Sequence, residues 1–100
     1  MNRPGPNDAF PEMIYPVCAI RDNLQGFYPA TVEQSTQSAI RRFALAMSRD
    51  GSELNFSPAD FTLFHVGYFN SQKGTLEPVQ PIVQLISGVE AYGMKNAESK

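Results

Sequence analysis

The sequence predicts an α+β domain: an antiparallel sheet of about five short strands, in the order β-β-α-β-β-β, with one helix packed on one face. Three observations predict it. Residues 61–69 form an apolar run in which both alternating sets are largely hydrophobic, the pattern of a strand covered on two sides. Ala39, Ile40, Phe43, Ala44 and Met47 recur at the 3.6-residue period of one helix face. The remaining apolar runs are short and bounded by Gly, Pro, Asn and Asp clusters, as strands are.

Taken in order, residues 1–11 hold three of the eight prolines and no periodicity, and read as a flexible arm. Residues 13–21 are too apolar for a loop, and Pro16 breaks any helix there, so a strand is expected. Pro16 cannot donate to a ladder, which places that strand at an edge or turns the position away from its neighbour. A turn at residues 22–26 and a return strand at 27–30 close a hairpin. The helix follows. Thr31 with Gln34 has capping-box spacing, but Ser35 directly precedes the periodic residues and is the better cap. Asp50-Gly51 should stop the helix near Ser48.

Residues 57–60 read as a loop before the strand at 61–69. In that strand Phe61, Leu63 and Phe69 fall on one face and Phe64, Val66 and Tyr68 on the other. Gly67 marks a bulge or a close backbone approach. A turn at residues 70–74 leads to residues 75–78 and then to a last strand at 82–86. Residues 12–88 thus form the single domain, and 89–100 a polar C-terminal tail.

Composition narrows the function classes. Forty-two per cent hydrophobic residues suit a folded domain, and no apolar stretch approaches the roughly 20 residues of a spanning helix. The N-terminus lacks the apolar segment of a signal peptide, and Cys18 is the only cysteine, so a cytoplasmic location and a fold without disulfides are expected. With one histidine and one cysteine, neither a multi-histidine metal site nor a Cys-His pair with a separate orienting histidine can be assembled. There is no phosphate-binding loop and no evident carboxylate dyad. The expectation is a binding protein, with no catalytic residues, metal or cofactor. His65, in the central strand, reads as a hydrogen-bonded or edge histidine.

The net charge of −2 argues against a protein that grips nucleic acid by bulk positive charge. The charge is uneven, however. Residues 36–49 carry Arg41, Arg42 and Arg49 and no acid, while residues 50–60 carry Asp50, Glu53 and Asp60 and no base. On a helix Arg42 and Arg49 share a face, and arginine forks suit phosphates. The same pattern also describes a solvated face, with Arg49 answering the helix dipole and the three acids folding back as surface pairs. A second route to nucleic acid is the sheet. One helix covers one face, leaving Phe64, Val66 and Tyr68, joined by Tyr15, to stack bases with Arg21 and Lys73 at the rim. That same face would serve as a dimer interface.

The core segment resembles a known family. The residues that carry the likeness are Ala39-Ile40-Arg41-Arg42-Phe43, then residues 58–69 reading Pro-Ala-Asp-Phe-Thr-Leu-Phe-His-Val-Gly-Tyr-Phe, then the turn ending at Gly74. Over residues 13–86 this is similar to the small nonstructural protein of gokushovirus-type microviruses, the single-stranded DNA phages of bacteria. Relatives are acidic where this chain has Asn70-Ser71-Gln72-Lys73, and the N-terminal arm is longer here. The resemblance implies a non-virion DNA-binding protein of the infected host cytoplasm, assigned to synthesis of progeny single strands.

The expected partners are therefore single-stranded DNA and a second copy of the chain, with no membrane. Arg41, Arg42 and Arg49 would contact phosphates and Tyr68 and Phe64 would stack. Changing Arg42 and Arg49 together to glutamate should then weaken binding without harming the fold. The rival expectation is an oligomeric module that engages a host or phage replication protein and never touches DNA.

Overall fold

A computed structural model of the chain describes residues 11–98, with side chains described to residue 94. Most of the arm expected at residues 1–11, and the last two residues of the tail, lie outside the described residues. The chain folds as α+β, with a five-stranded antiparallel sheet carrying helices on one face.

β1 (Ile14–Asp22) is central and pairs along its length with β4 (Phe61–Asn70). On its other side lie two two-residue strands, β2 (Gly26–Phe27) and β3 (Thr31–Val32), so the return strand expected at 27–30 is split. β5 (Thr75–Ser87) pairs with β4 and forms the opposite edge, giving the order β2-β1-β4-β5. The two segments expected at 75–78 and 82–86 are thus one strand. It holds together because four residues, 79–82, are accommodated opposite Val66 alone, a wide irregularity that takes up Pro81.

α1 (Thr36–Ser48) begins and ends where its sequence indicates. The Ser35 hydroxyl accepts from Ser38 N–H at 3.0 Å, and the Ser38 hydroxyl accepts from Ser35 N–H at 3.1 Å, a reciprocal capping box. Thr31, the other candidate cap, instead lies in β3. The chain turns away after Arg49, with Gly51 at φ +84°, a conformation glycine adopts without a Cβ clash. Ala39, Phe43, Ala44 and Met47 face inward against Cys18, Phe61, Leu63 and Ile86. Full burial of Phe43 and Met47 contributes about 1.5–3 kcal/mol each.

Two features depart from expectation. Residues 50–60 are not plain loop but a one-turn helix, α2 (Glu53–Phe56), and a 3-10 turn at Pro58–Asp60. The stretch read as a polar tail forms a second full helix, α3 (Gly88–Glu98), which packs on α1 and buries Ala91 completely. Ser87 caps it: the hydroxyl accepts from Glu90 N–H, and the Glu90 carboxylate accepts from Ser87 N–H, both at 3.1 Å.

Candidate functional site

The bulge at Val66 decides which side chains share a face. Val17 pairs with Gly67 but Cys18 with His65, so Val66 is an extra residue and the alternation along β4 inverts there. Phe64 therefore lies on the open face, opposite Ala19, while Tyr68 comes to the other face. The rings report this directly. Tyr68 stands edge-on to His65 at 4.7 Å, three positions away, which an unbroken strand would place on opposite faces. The grouping of Phe64 with Tyr68 expected from regular alternation is corrected accordingly. His65 is buried, with Nε2 at 3.0 Å from the Gly67 carbonyl oxygen. Gly67 is fixed by close approach as well as by the bulge: a Cβ there would sit 2.8 Å from the Glu77 carbonyl oxygen.

On the open face the sequence folds three residues into one cluster. Arg21 pairs across the strands with Phe27, and its guanidinium carbon lies 5.8 Å from that ring's centroid. The Phe27 ring meets Phe64 in an edge-on contact at 5.6 Å. Phe27 remains 47% exposed, and none of the described helices covers it. Further along the same face, beyond the bulge, lies a shallow apolar hollow of about 330 Å³, lined by Val17, Val66, Gly67, Leu76, Glu77 and Pro78. The regular alternation of β1 sets Tyr15 on this side too. Sequence reading missed Phe27 as a site residue. The available signal was its place one residue past the turn, where hairpin closure brings it opposite Arg21.

The other expected site residues do not join this cluster. Lys73 sits in the turn after Asn70, at the far end of β4 from Thr62, the partner of Arg21. Arg41 and Arg42 are exposed on α1, in the layer behind the sheet. Arg49 is the C-cap residue, with extended backbone, and so is outside the helical face it was expected to share with Arg42. Arg42 is also partnered. Its Nη1 donates to both carboxylate oxygens of Glu33, at 3.2 and 3.3 Å. Asp50, Glu53 and Asp60 are not its partners: Glu53 accepts from the Tyr28 hydroxyl at 2.7 Å and Asp60 from Ser57. The Tyr28 hydroxyl, donating to Glu53, has its pKa pushed up to about 12, chiefly by that bond.

Behind the sheet, a cleft of about 380 Å³ between β1 and α1 is lined by Cys18, Tyr28, Glu33, Arg42 and Phe43, among others. Burial, and secondarily the Glu33 charge, push the Cys18 thiol up to about 11 from an ordinary 9.0. Two consequences can be measured. Near pH 8 the native thiol should carry about 100-fold less thiolate than the unfolded one. A thiol–disulfide reagent should accordingly label Cys18 only on unfolding. The folded value lies above the unfolded one, so this contribution to stability is complete below pH 9 and is lost as pH rises toward 11. Cys18→Ala should flatten the alkaline fall of the denaturation midpoint over that window; an unchanged slope would assign the fall to other groups. Among the described residues, no three of His, Cys, Asp and Glu are grouped so as to hold a metal ion, and no helix is long and apolar enough to cross a membrane.

The fold is thus a small antiparallel α+β sheet with helices on one face and an arginine–aromatic cluster on the other. Residues 15–91, more than three quarters of the chain, match the Phage ORF5 protein family, and the chain belongs to that family. Comparison with curated proteins and with solved structures finds no match.

Proposed function

We propose that this phage protein is a nonstructural, non-catalytic binder of single-stranded DNA, of the gokushovirus-type microvirus kind, acting in the host cytoplasm during synthesis of progeny single strands. Its working surface is the open sheet face. The observation that carries this reading is the Arg21–Phe27–Phe64 cluster, in which an aromatic ring is half exposed on the uncovered face and flanked by a guanidinium. Every base has a π-face, so such a platform is sequence-tolerant, and stacking contributes about 1–3 kcal/mol per base. Arg21 supplies the charge for one phosphate. With a chain charge of −2 and Arg42 committed to Glu33, binding leans on stacking more than on counterion release.

Fluorescence anisotropy with a labelled single-stranded oligonucleotide tests this. Phe27→Ala should weaken binding by roughly 5- to 150-fold at fixed salt. Arg21→Ala should also make the salt dependence shallower, by about 0.7 in the log–log slope for one phosphate lost. Binding that is indifferent to both changes would sink the assignment.

A second reading is favoured by a different observation. Leu76, Ile82, Val83 and Val89 are all more than 40% exposed along β5 and the start of α3, an apolar strip of the kind that marks protein contacts. On that reading the chain engages a host or phage replication protein and does not touch DNA. A stoichiometric protein partner that survives nuclease treatment in a pulldown from infected cells would favour it over the first.

A further inference from the structure

We infer that the outer edge of β5, over residues 82–87, is a self-association surface, and that it pairs antiparallel with the same segment of a second copy to make one continuous sheet. This supplies an interface for the second copy of the chain that the sequence leads one to expect as a partner, and it does not depend on DNA binding.

Among the described residues β5 ends the sheet, with no strand beside the hydrogen-bonding groups of its outer side. Natural edges are blunted by charge, proline or irregularity. Here charge and proline are confined to the first part of the strand, at Glu77, Pro78 and Pro81, beside the four-residue irregularity at 79–82; beyond it the register carries one further irregularity, the extra residue Leu85. The rest of the strand, Ile82-Val83-Gln84-Leu85-Ile86-Ser87, carries no charge, no proline and no glycine. Ile82 and Val83 are 41% and 47% exposed on it.

The occupant is a second copy because of symmetry and charge. An antiparallel strand pair about a two-fold axis is self-complementary, each segment offering its partner the groups it needs. A charged edge would oppose itself across that axis, and this segment is neutral. A two-fold perpendicular to the sheet also puts the helices of both copies on one side and both open faces on the other. The strand order would then run β2-β1-β4-β5 and back in reverse. The two Phe64 rings would be three strand spacings apart, about 14 Å, on one surface.

The test is the solution mass of the full chain by size exclusion with light scattering, across a dilution series. The wild type should give twice 11.1 kDa. Ile82→Lys with Val83→Lys, both at exposed positions, should give the single-chain mass with an unchanged circular dichroism spectrum. Hydrogen exchange gives a reading that needs no variant: amides of residues 82–87 should become better protected as the wild-type concentration rises. A wild type that stays single-chain throughout overturns the inference, as does a double variant that remains a dimer. Protection in residues 82–87 that is independent of concentration also overturns it. A single-chain protein that still binds the oligonucleotide would remove this interface and leave the DNA reading standing. A dimer that binds no oligonucleotide would do the reverse.

Discussion

Gly88→Ala is expected to destabilise the protein by about 3 kcal/mol or more, a large part of a small domain's total stability. Gly88 is the first residue of α3, where the chain leaves β5 and crosses the 3-10 turn. A Cβ there would overlap the Pro58 carbonyl oxygen and sit 2.8 Å from that of Phe61 and 3.0 Å from the Met47 methyl. Two of these three are backbone atoms and cannot rotate away. To admit a methyl group, α3 must lift from the 3-10 turn. That would also open the seat of Ala91, which is fully buried. Gly93, one and a half turns further along the same helix, is the internal control. A Cβ there meets nothing within 4 Å, so Gly93→Ala should stabilise by about 0.5–1 kcal/mol through helix propensity. Urea denaturation of the two variants beside the wild type measures both effects. A Gly88→Ala midpoint equal to that of the wild type would mean that α3 does not sit tightly against Pro58 and Phe61.

The contrast between α1 and α3 shows what the sequence could disclose. α1 was legible because one stripe of five apolar residues runs its length and a serine sits just before it. α3 has a capping box of the same kind, Ser87 with Glu90, which was open to reading. The residues after it, with glycines at 88 and 93 and Ala91 the one apolar side chain buried among those described, show no apolar stripe. Helicity there comes from docking on α1, a tertiary fact. The sheet shows the same division. β4 was evident from its apolar run, but the extra residue at Val66 is a property of the pairing and reverses every face assignment beyond it. Regular alternation therefore puts Tyr68 on the wrong side, while it places Phe64 correctly. Phe27 was passed over because its importance comes from the residues it meets across the strands, Arg21 and Phe64.

Arg42 is the position where this difference has its largest consequence. Read along the helix it is a free cation beside Arg41, available to a phosphate, and its replacement by glutamate should not trouble the fold. In the structure it neutralises Glu33, which is only 7% exposed and lies nine positions away, outside any helical spacing rule. Glu33 is held in place on two other counts: its N–H donates to the Pro16 carbonyl at 2.9 Å, and Thr31 donates to its carboxylate at 2.6 Å. With the backbone anchored, swinging the carboxylate out to water would break its bond from Thr31. Removing one partner of a buried pair costs about 3–5 kcal/mol, and the 70% exposure of Arg42 reduces that through solvent screening. Arg42→Glu, which adds a second carboxylate, is expected to cost about 2 kcal/mol. Arg41→Glu, on the exposed face beside it, should stay within about 0.5 kcal/mol of the wild type. Glu33→Gln in the Arg42→Glu background should restore most of the loss, because the pair of like charges is then gone. With Glu33→Gln alone added, the denaturation midpoints complete a double-mutant cycle. If Arg42→Glu is as stable as Arg41→Glu, the ion pair contributes nothing and Arg42 returns to the pool of free cations. If the cycle closes as expected, any loss of DNA binding in Arg42→Glu must first be corrected for unfolding. The charge that bears on the open face is then that of Arg21.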